Sequence, residues 1–439
     1  MSLAAIGPRF VAFTKYRLII GTRSSGFAGS RLIFSGFDRY NAAHVEALFR
    51  MKREPVSWTD ELHEELHELD AEGLRRRLRV VDFLGGMKAS VEDKDCVLFC
   101  TNNYLGLADH PHVLERSQKA LIRYGAGAQA SRLVSGHLPI HQQLEEKTAA
   151  FKGSEACLAF PTGYMANLAA VSALVDDRDV ILCDRLNHAS LIDACRMTKA
   201  KFMVYDHLDL ADLKKQLEKT NKYHRRLIVT DGLFSMDGDL VPLLKLMELA
   251  HDYDALVMID DAHGTGVLGP TGQGIIHHFP LKYYPAVVVG TYSKALGSMG
   301  GFVCGSQIFI EYLLNKARTF IYTTGLPPAV CGASLGALEV LQEETNRVDK
   351  LWDNSKKIRN GLKALGYEIP RGAGPILPVM VGDNEEALRM SKKLWEEGVL
   401  IVAIRPPTVP KGTARLRLSV SAAHTDEDIV KLLDAFKKL

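Results

Sequence analysis

No run of about 18 apolar residues interrupts the 439-residue chain, so no segment is expected to cross a membrane as a helix. A marked excess of either charge is also missing. With 54 Lys and Arg against 52 Asp and Glu, there is no electrostatic case for binding nucleic acid. The seven cysteines form no C-x-x-C pair, and most lie in apolar stretches, which suggests buried thiols in a reducing compartment. His110, His112, His137, His141 and the pair His277–His278 supply no closed set of four zinc ligands, so no metal is expected. Repeats and low-complexity segments are absent too. What remains is 47% hydrophobic and 24% charged residues, an ordinary globular composition, in a chain long enough for two packed domains.

Residues 1–50 carry seven Arg or Lys against only Asp38 and Glu46, with scattered serines and no steady apolar face. Two readings fit: an organellar transit peptide, or an upstream extension of the reading frame with Met51 as the start. The second implies a cytoplasmic protein and the first a mitochondrial one. Residues 51–100 read as an N-terminal helix and arm. Within them, Trp58–Val81 (WTDELHEELHELDAEGLRRRLRVV) repeats leucine at helical spacing, acids first and arginines last, as a helix dipole favours. This predicts an amphipathic helix packing on a larger body.

From residue 101 to 335, short apolar runs alternate with helical stretches. The runs are CLAF near Leu158, DVILCD (Asp179–Asp184), KFMVY (Lys201–Tyr205), RLIVTDG (Arg226–Gly232), ALVMIDDAHGTG (Ala255–Gly266), AVVVGTYSK (Ala286–Lys294) and GGFVCG (Gly300–Gly305). β-branched runs without polar alternation indicate strands covered on both faces, and their alternation with helices indicates a mostly parallel α/β sheet. After Pro327–Pro328 a helix, strands near Leu377–Val381 and Ala414–Val420, and a helix from Asp426 predict a smaller α+β domain over residues 336–439.

Ligands bind outside the carboxyl ends of parallel strands. Several runs end in polar residues: Thr162, Gly163 and Tyr164; Asp231 followed by Ser235; Asp260, Asp261 and His263; Thr291, Ser293 and Lys294. Any one such end reads equally well as a helix cap. Lys294, among Gly, Ser, Thr and Ala, reads alone as either a solvated loop lysine or a reactive one. Together the ends fit pyridoxal phosphate, which needs a lysine amine for its aldehyde, an acid at its pyridine nitrogen and a phosphate cradle. Lys294 and Asp260 supply the first two. Gly163 and Tyr164 open a helix whose free N–H groups suit phosphate, with Thr291 and Ser293 adding hydroxyls. The competing dinucleotide reading is weak: YGAGAQASR (Tyr124–Arg132) has glycines but no strand leading into it, and no P-loop is present.

TNNYLGLADHP, GAGAQASRLVSGHLPIHQQLEE, DRLNHASLIDA, DGLFSMDGD, DDAHGTGVLG, GTYSKALGSMGG and RPPTVPKGTARLRLSVSAAHT resemble, in order and spacing, the α-oxoamine synthases. These are pyridoxal-phosphate enzymes of the fold-type I aminotransferase class, and the resemblance runs from about Trp58 to the C-terminus. The last loop, DRLNHASLIDA and TFIYTTGLPPA are most similar to the biotin-pathway branch. The resemblance implies a homodimer with shared active sites and a decarboxylative condensation of L-alanine with a pimeloyl thioester, delivered by CoA or carrier protein. Sister branches join glycine to acetyl- or succinyl-CoA, or serine to a fatty acyl thioester. By position, Lys294 resembles the cofactor lysine, Asp260 the partner of the ring nitrogen, His263 the histidine at the ring hydroxyl and His188 the one stacked on the ring. Gly163, Tyr164, Ser235, Thr291 and Ser293 match cofactor contacts, while Thr323 and Thr324 match phosphate contacts across a dimer interface. Arg417, Arg405 and Asn103 match substrate contacts. Asp231 departs from the glutamate that some biotin-branch members carry.

Overall fold

The computed structural model describes residues 58–370 and 372–439. The basic segment 1–50 lies outside them. The first described helix, Trp58–Ala71, belongs to a unit apart from Arg77–Leu439, and none of its residues is buried. It is shorter than the leucine spacing predicts. Gly73 takes φ +64°, and Leu74 N–H turns back to the Leu69 carbonyl, so the chain leaves the helix before the arginines.

In the larger unit, β1 (Val81–Gly85), β2 (Lys88–Val91) and β3 (Lys94–Leu98) form antiparallel hairpins. The β2–β3 turn holds Glu92 and Asp93 at positive φ, the two-residue geometry that matches strand twist. The central strands are β4 (Ala156–Phe160), β5 (Val180–Asp184), β6 (Lys201–Tyr205), β7 (Arg226–Asp231), β8 (Ala255–Asp260), β9 (Val287–Thr291) and β10 (Gly301–Gly305), in the order β4-β10-β9-β8-β7-β5-β6. Neighbours from β9 through β6 pair in parallel, while β10 runs antiparallel to both β4 and β9. All seven predicted runs are therefore strands of one mostly parallel sheet. Alternate residues feed two cores: Val180, Leu182 and Ile228 lie in one, Ile181, Cys183 and Val229 in the other. Covering on both faces explains the missing polar alternation.

After the helix Pro328–Glu343 comes the smaller C-terminal part, where β11 (Ile376–Gly382), β12 (Val399–Leu400), β13 (Val402–Ile404) and β14 (Ala414–Ser419) lie. The order β11-β14-β13 makes an antiparallel sheet, while β12 pairs in parallel with β3. Residues 81–98 thus share a sheet with a C-terminal strand.

One ion pair ties the helices to the sheet behind the strand ends. Lys152 Nζ, at the last turn of the helix Pro139–Lys152, lies 2.6 Å from Asp261 Oδ2, and both side chains are fully buried. Thr265 Oγ1 accepts from Nζ as well, and Asp261 Oδ1 accepts from Ile275 N–H at 3.1 Å. Burial pushes the Asp261 carboxyl up, and the Lys152 charge opposes it. Lys152→Met would leave that acid buried without its cation, so a loss of about 3–5 kcal/mol in unfolding free energy is expected in urea titrations. A loss under about 1 kcal/mol would show that the pair carries little.

Candidate active site

Because β5, β7, β8 and β9 are parallel, their carboxyl ends open at one edge. A cavity of about 230 Å³ lies there, lined by residues that follow β4, β5, β7, β8 and β9. It collects Lys294, Asp260, His188, His263, Gly163, Tyr164, Ser235, Thr291 and Ser293, nine of the residues predicted from sequence. A larger hollow of about 420 Å³, bordered by Arg132, Glu145 and Phe320, gathers no strand-end acid and no lysine among the described residues.

Asp260 ends β8, opposite Asp231 on β7. Its Oδ1 accepts from Ala262 N–H at 2.9 Å and its Oδ2 from Asn167 Nδ2 at 2.6 Å, which fixes the carboxylate plane. The adjacent acids diverge, Asp260 to the cavity and Asp261 to Lys152. Asp231 is buried, and burial together with the Asp260 charge pushes its carboxyl well up. Its Oδ2 accepts from His188 N–H at 2.7 Å, so the acid that ends β7 holds the loop after β5.

Lys294 follows β9 and is half-buried in the cavity wall. Burial pulls its ammonium below the ordinary lysine value, against the raising pull of Asp260 and Asp231. This favours the neutral amine that nucleophilic and base chemistry require. Its small neighbours have packing reasons. At Gly290 a Cβ would sit 2.2 Å from the Phe302 ring, and at Gly297, with φ +62°, one would strike Ala108 N at 2.4 Å.

His263 is buried, and its Nδ1 meets Tyr104 OH at 2.8 Å. Burial, then Lys294 and Arg417, hold its imidazole well below the ordinary histidine value, so it is neutral at pH 7. His188 caps the helix Ala189–Arg196 while also facing the cavity, so the capping and functional readings of this residue coincide. It keeps an exposed face, yet desolvation by surrounding protein lowers its imidazole too, partly offset by Asp260.

The helix Gly163–Leu174 points its first turn at the cavity, capped by Thr162 Oγ1, which accepts from Met165 N–H at 3.1 Å. A Cβ at Gly301 would lie 2.5 Å from Gly163 Cα, so glycine lets this N-terminus approach the sheet. Thr291 donates its hydroxyl to the Gly300 carbonyl at 2.6 Å and accepts from Ser293 N–H at 3.1 Å, so it braces Ser293. Tyr164 is exposed at the rim, with its hydroxyl donated to Asp193.

Arg417, on β14, reaches across from the smaller domain. Its Nε donates to the Ser235 carbonyl at 2.5 Å and its Nη1 to Ser419 Oγ at 2.9 Å, and its Nη2 lies 3.5 Å from Tyr104 OH. Asn103 stands apart from the cavity: its Oδ1 accepts from Leu107 N–H at 2.9 Å and braces a turn. Arg405 follows β13 and is not among the lining residues either. Thr323 and Thr324 border a separate small hollow with Arg132 and His141, and Thr324 pairs with Ser131 in a β-bridge.

Sequence reasoning passed over Asn167, Ser190 and Tyr104. Tyr104 and Ser190 lie inside recognised motifs and Asn167 sits one helical turn beyond Gly163, but Tyr104 reaches His263 and Asn167 reaches Asp260, partners distant in the chain. The Asn167 Oδ1 atom is buried with no hydrogen bond among the described residues. An amine, a carboxylate braced at both oxygens, and a helix N-terminus brought close by Gly301 form the donor set for pyridoxal phosphate. The residues fit that group.

The chain matches the class I and II aminotransferases over residues 94–436. It is 50% identical over 377 residues to a putative 8-amino-7-oxononanoate synthase of Desulforudis audaxviator, spanning 86% of this chain and 98% of that protein. It is 42% identical over 383 residues to 8-amino-7-oxononanoate synthase 2 of Bacillus subtilis, spanning 87% and 97%. A solved serine palmitoyltransferase from S. paucimobilis, with a bound PLP–myriocin aldimine, is similar at TM-score 0.83 and 32% identity over 88% of this chain and 98% of that one. The 8-amino-7-oxononanoate synthase of Francisella tularensis is similar at TM-score 0.68 and 29% identity, covering 78% and 97%.

Proposed function

The chain belongs to the α-oxoamine synthases of the class I and II aminotransferase family, and we propose that it carries out the 8-amino-7-oxononanoate synthase reaction of biotin biosynthesis. L-alanine condenses with a pimeloyl thioester, of CoA or carrier protein, with loss of CO2. The observation that carries this reading is the meeting of Lys294, Asp260, His188 and His263 in one cavity beside Arg417. Identity of 42–50% with relatives named for that reaction supports the branch over the serine palmitoyltransferase at 32%, whose higher TM-score reports backbone shape.

Pyridoxal phosphate, when bound, supplies an electron sink for charge developing at the amino-acid α-carbon. Lys294 would hold it through its amine, Asp260 would meet its ring nitrogen, and Gly163 with Ser293 would meet its phosphate. In the reaction, Arg417 binds the alanine carboxylate, its guanidinium aimed by the Ser235 carbonyl and Ser419. The Lys294 amine takes the α-proton, a task suited to its depressed pKa. The α-carbon then bonds to the thioester carbonyl carbon, the C–S bond breaks, and the thiol leaves with a proton. The carboxylate departs as CO2, and a proton returns to the α-carbon. His188 donates toward the thioester oxygen, and neutral His263, held by Tyr104, would meet the ring hydroxyl of the cofactor.

The working unit is a homodimer in the cytoplasm, with Thr323 and Thr324 of one copy completing the phosphate site of the other. Their place on a separate hollow, away from their own chain's cavity, supports this. Thiol release with alanine, glycine or serine, crossed against pimeloyl-, acetyl-, succinyl- and palmitoyl-CoA, tests the reading. Alanine with pimeloyl-CoA is expected to be fastest. Fastest release from glycine with acetyl-CoA would move the chain to a sister branch.

A further inference from the structure

Along the cavity wall, four side chains from three elements form one directed line of hydrogen bonds. Asn167 Nδ2 donates to Asp260 Oδ2 at 2.6 Å and to Ser190 Oγ at 2.9 Å. Ser190 Oγ lies 2.7 Å from His188 Nδ1, and Ser190 N–H also reaches that nitrogen at 3.3 Å. Asn167 and Ser190 are both buried.

The directions are set by chemistry. A backbone N–H can only donate, so His188 Nδ1 is an acceptor and carries no proton. Ser190 Oγ–H must then donate to Nδ1, which leaves the Oγ lone pairs to accept from Asn167. The amide of Asn167 cannot be flipped, because its oxygen would then face the Asp260 oxygen and the serine lone pairs. One end of the line is thus an acid, and the other an imidazole whose proton must sit on Nε2. Among the described residues, Nε2 makes no hydrogen bond. The buried, unpartnered Asn167 Oδ1 is the cost this arrangement tolerates.

We infer that Asn167 and Ser190 are positioning residues that hold His188 in its Nε2–H form, so that the ring presents a hydrogen-bond donor to the active-site cavity. The inference rests on the proposed reading of this cavity as the reaction site, but its direct readout needs no substrate. Asn167 serves two groups at once: one amide hydrogen orients the Asp260 carboxylate, and the other keeps the Ser190 hydroxyl pointed at His188. A donor at Nε2 suits an oxygen that gains negative charge, such as the thioester carbonyl under attack. The opposite tautomer would turn a lone pair toward that oxygen.

The test uses the cofactor-loaded, full-length enzyme with 15N-labelled histidine. The two ring nitrogens are distinguished by their NMR shifts, and the His188 signals are assigned by their absence in His188→Gln. Wild type is expected to show Nε2–H alone. Ser190→Ala leaves only the 3.3 Å amide contact, so a mixed-tautomer pattern is expected, with kcat lowered roughly tenfold and KM for the amino acid within about twofold. Ser190→Thr, which keeps the hydroxyl, is expected to restore both the pattern and the rate. Asn167→Leu should produce the same mixed pattern, since Ser190 loses the donor that orients it. An unchanged Nε2–H pattern in Ser190→Ala and Asn167→Leu would overturn the inference, whatever substrates the enzyme uses. Failure of alanine and pimeloyl-CoA to react in wild type would instead overturn the substrate reading.

Discussion

Lys294→Ala is expected to abolish turnover, by roughly a thousandfold or more, and to remove the visible absorbance of lysine-bound cofactor. On the proposed reading two functions would be lost in one change: the amine that holds the cofactor, and the base that takes the α-proton. The size of the effect follows from the surroundings. Burial depresses the Lys294 pKa, and Asp260, Asp231 and Arg417 are the other charges acting on it. Among the described residues, no other lysine lines the cavity to take over. The substitution should leave the fold intact, because Lys294 is half-buried and follows β9 without pairing in the sheet. Absorbance and thiol release on protein with unchanged circular dichroism check it. Turnover within tenfold of wild type would remove Lys294 from the chemistry.

Asp260→Asn is expected to lower kcat roughly a hundredfold or more while the protein stays folded. An amide oxygen can still accept from Asn167 or Ala262 N–H, so the strand end keeps a partner. The negative charge is what disappears, and with it the counter-charge for a protonated ring nitrogen. Asp231 stands opposite on β7, but its carboxyl is pushed well up by burial and already accepts from His188 N–H, so it does not substitute. Steady-state rates with saturating alanine and a shift in the visible band measure the change. A rate within a few-fold of wild type would show that the acid positions neighbours and that its charge is not needed.

How far the chain could be read from its sequence follows from where each signal lies. The central sheet was legible because its inner strands are buried on both faces, so runs such as VILCD and VVVGT are apolar up to the polar residue that ends them. Lys294, Asp260, His188 and His263 were legible for the same reason: parallel strands bring their carboxyl ends together whatever the loops do. The β1–β3 hairpins were not. KASVEDKDCVL is short and partly polar, and it gains its place by pairing with β12, some three hundred residues later. The first helix was overread because leucine spacing continues past Gly73, while the chain turns there. Asn167 and Ser190 act through contacts made across the fold, and an asparagine in an apolar helix reads as an ordinary buried residue. Asn103 and Tyr104 share a motif, and only coordinates show that the tyrosine reaches His263 while the asparagine braces a turn.

In the proposed reaction this cavity joins an amino acid to an acyl thioester and discards the carboxylate. Alanine labelled in its carboxyl carbon, mixed with pimeloyl-CoA and the loaded enzyme, tests it most directly by mass spectrometry. The expected result is free CoA, labelled CO2 and an unlabelled product in which the acyl chain has gained the other two alanine carbons. A product that retains the label, or thiol release with no new carbon–carbon bond, would contradict it.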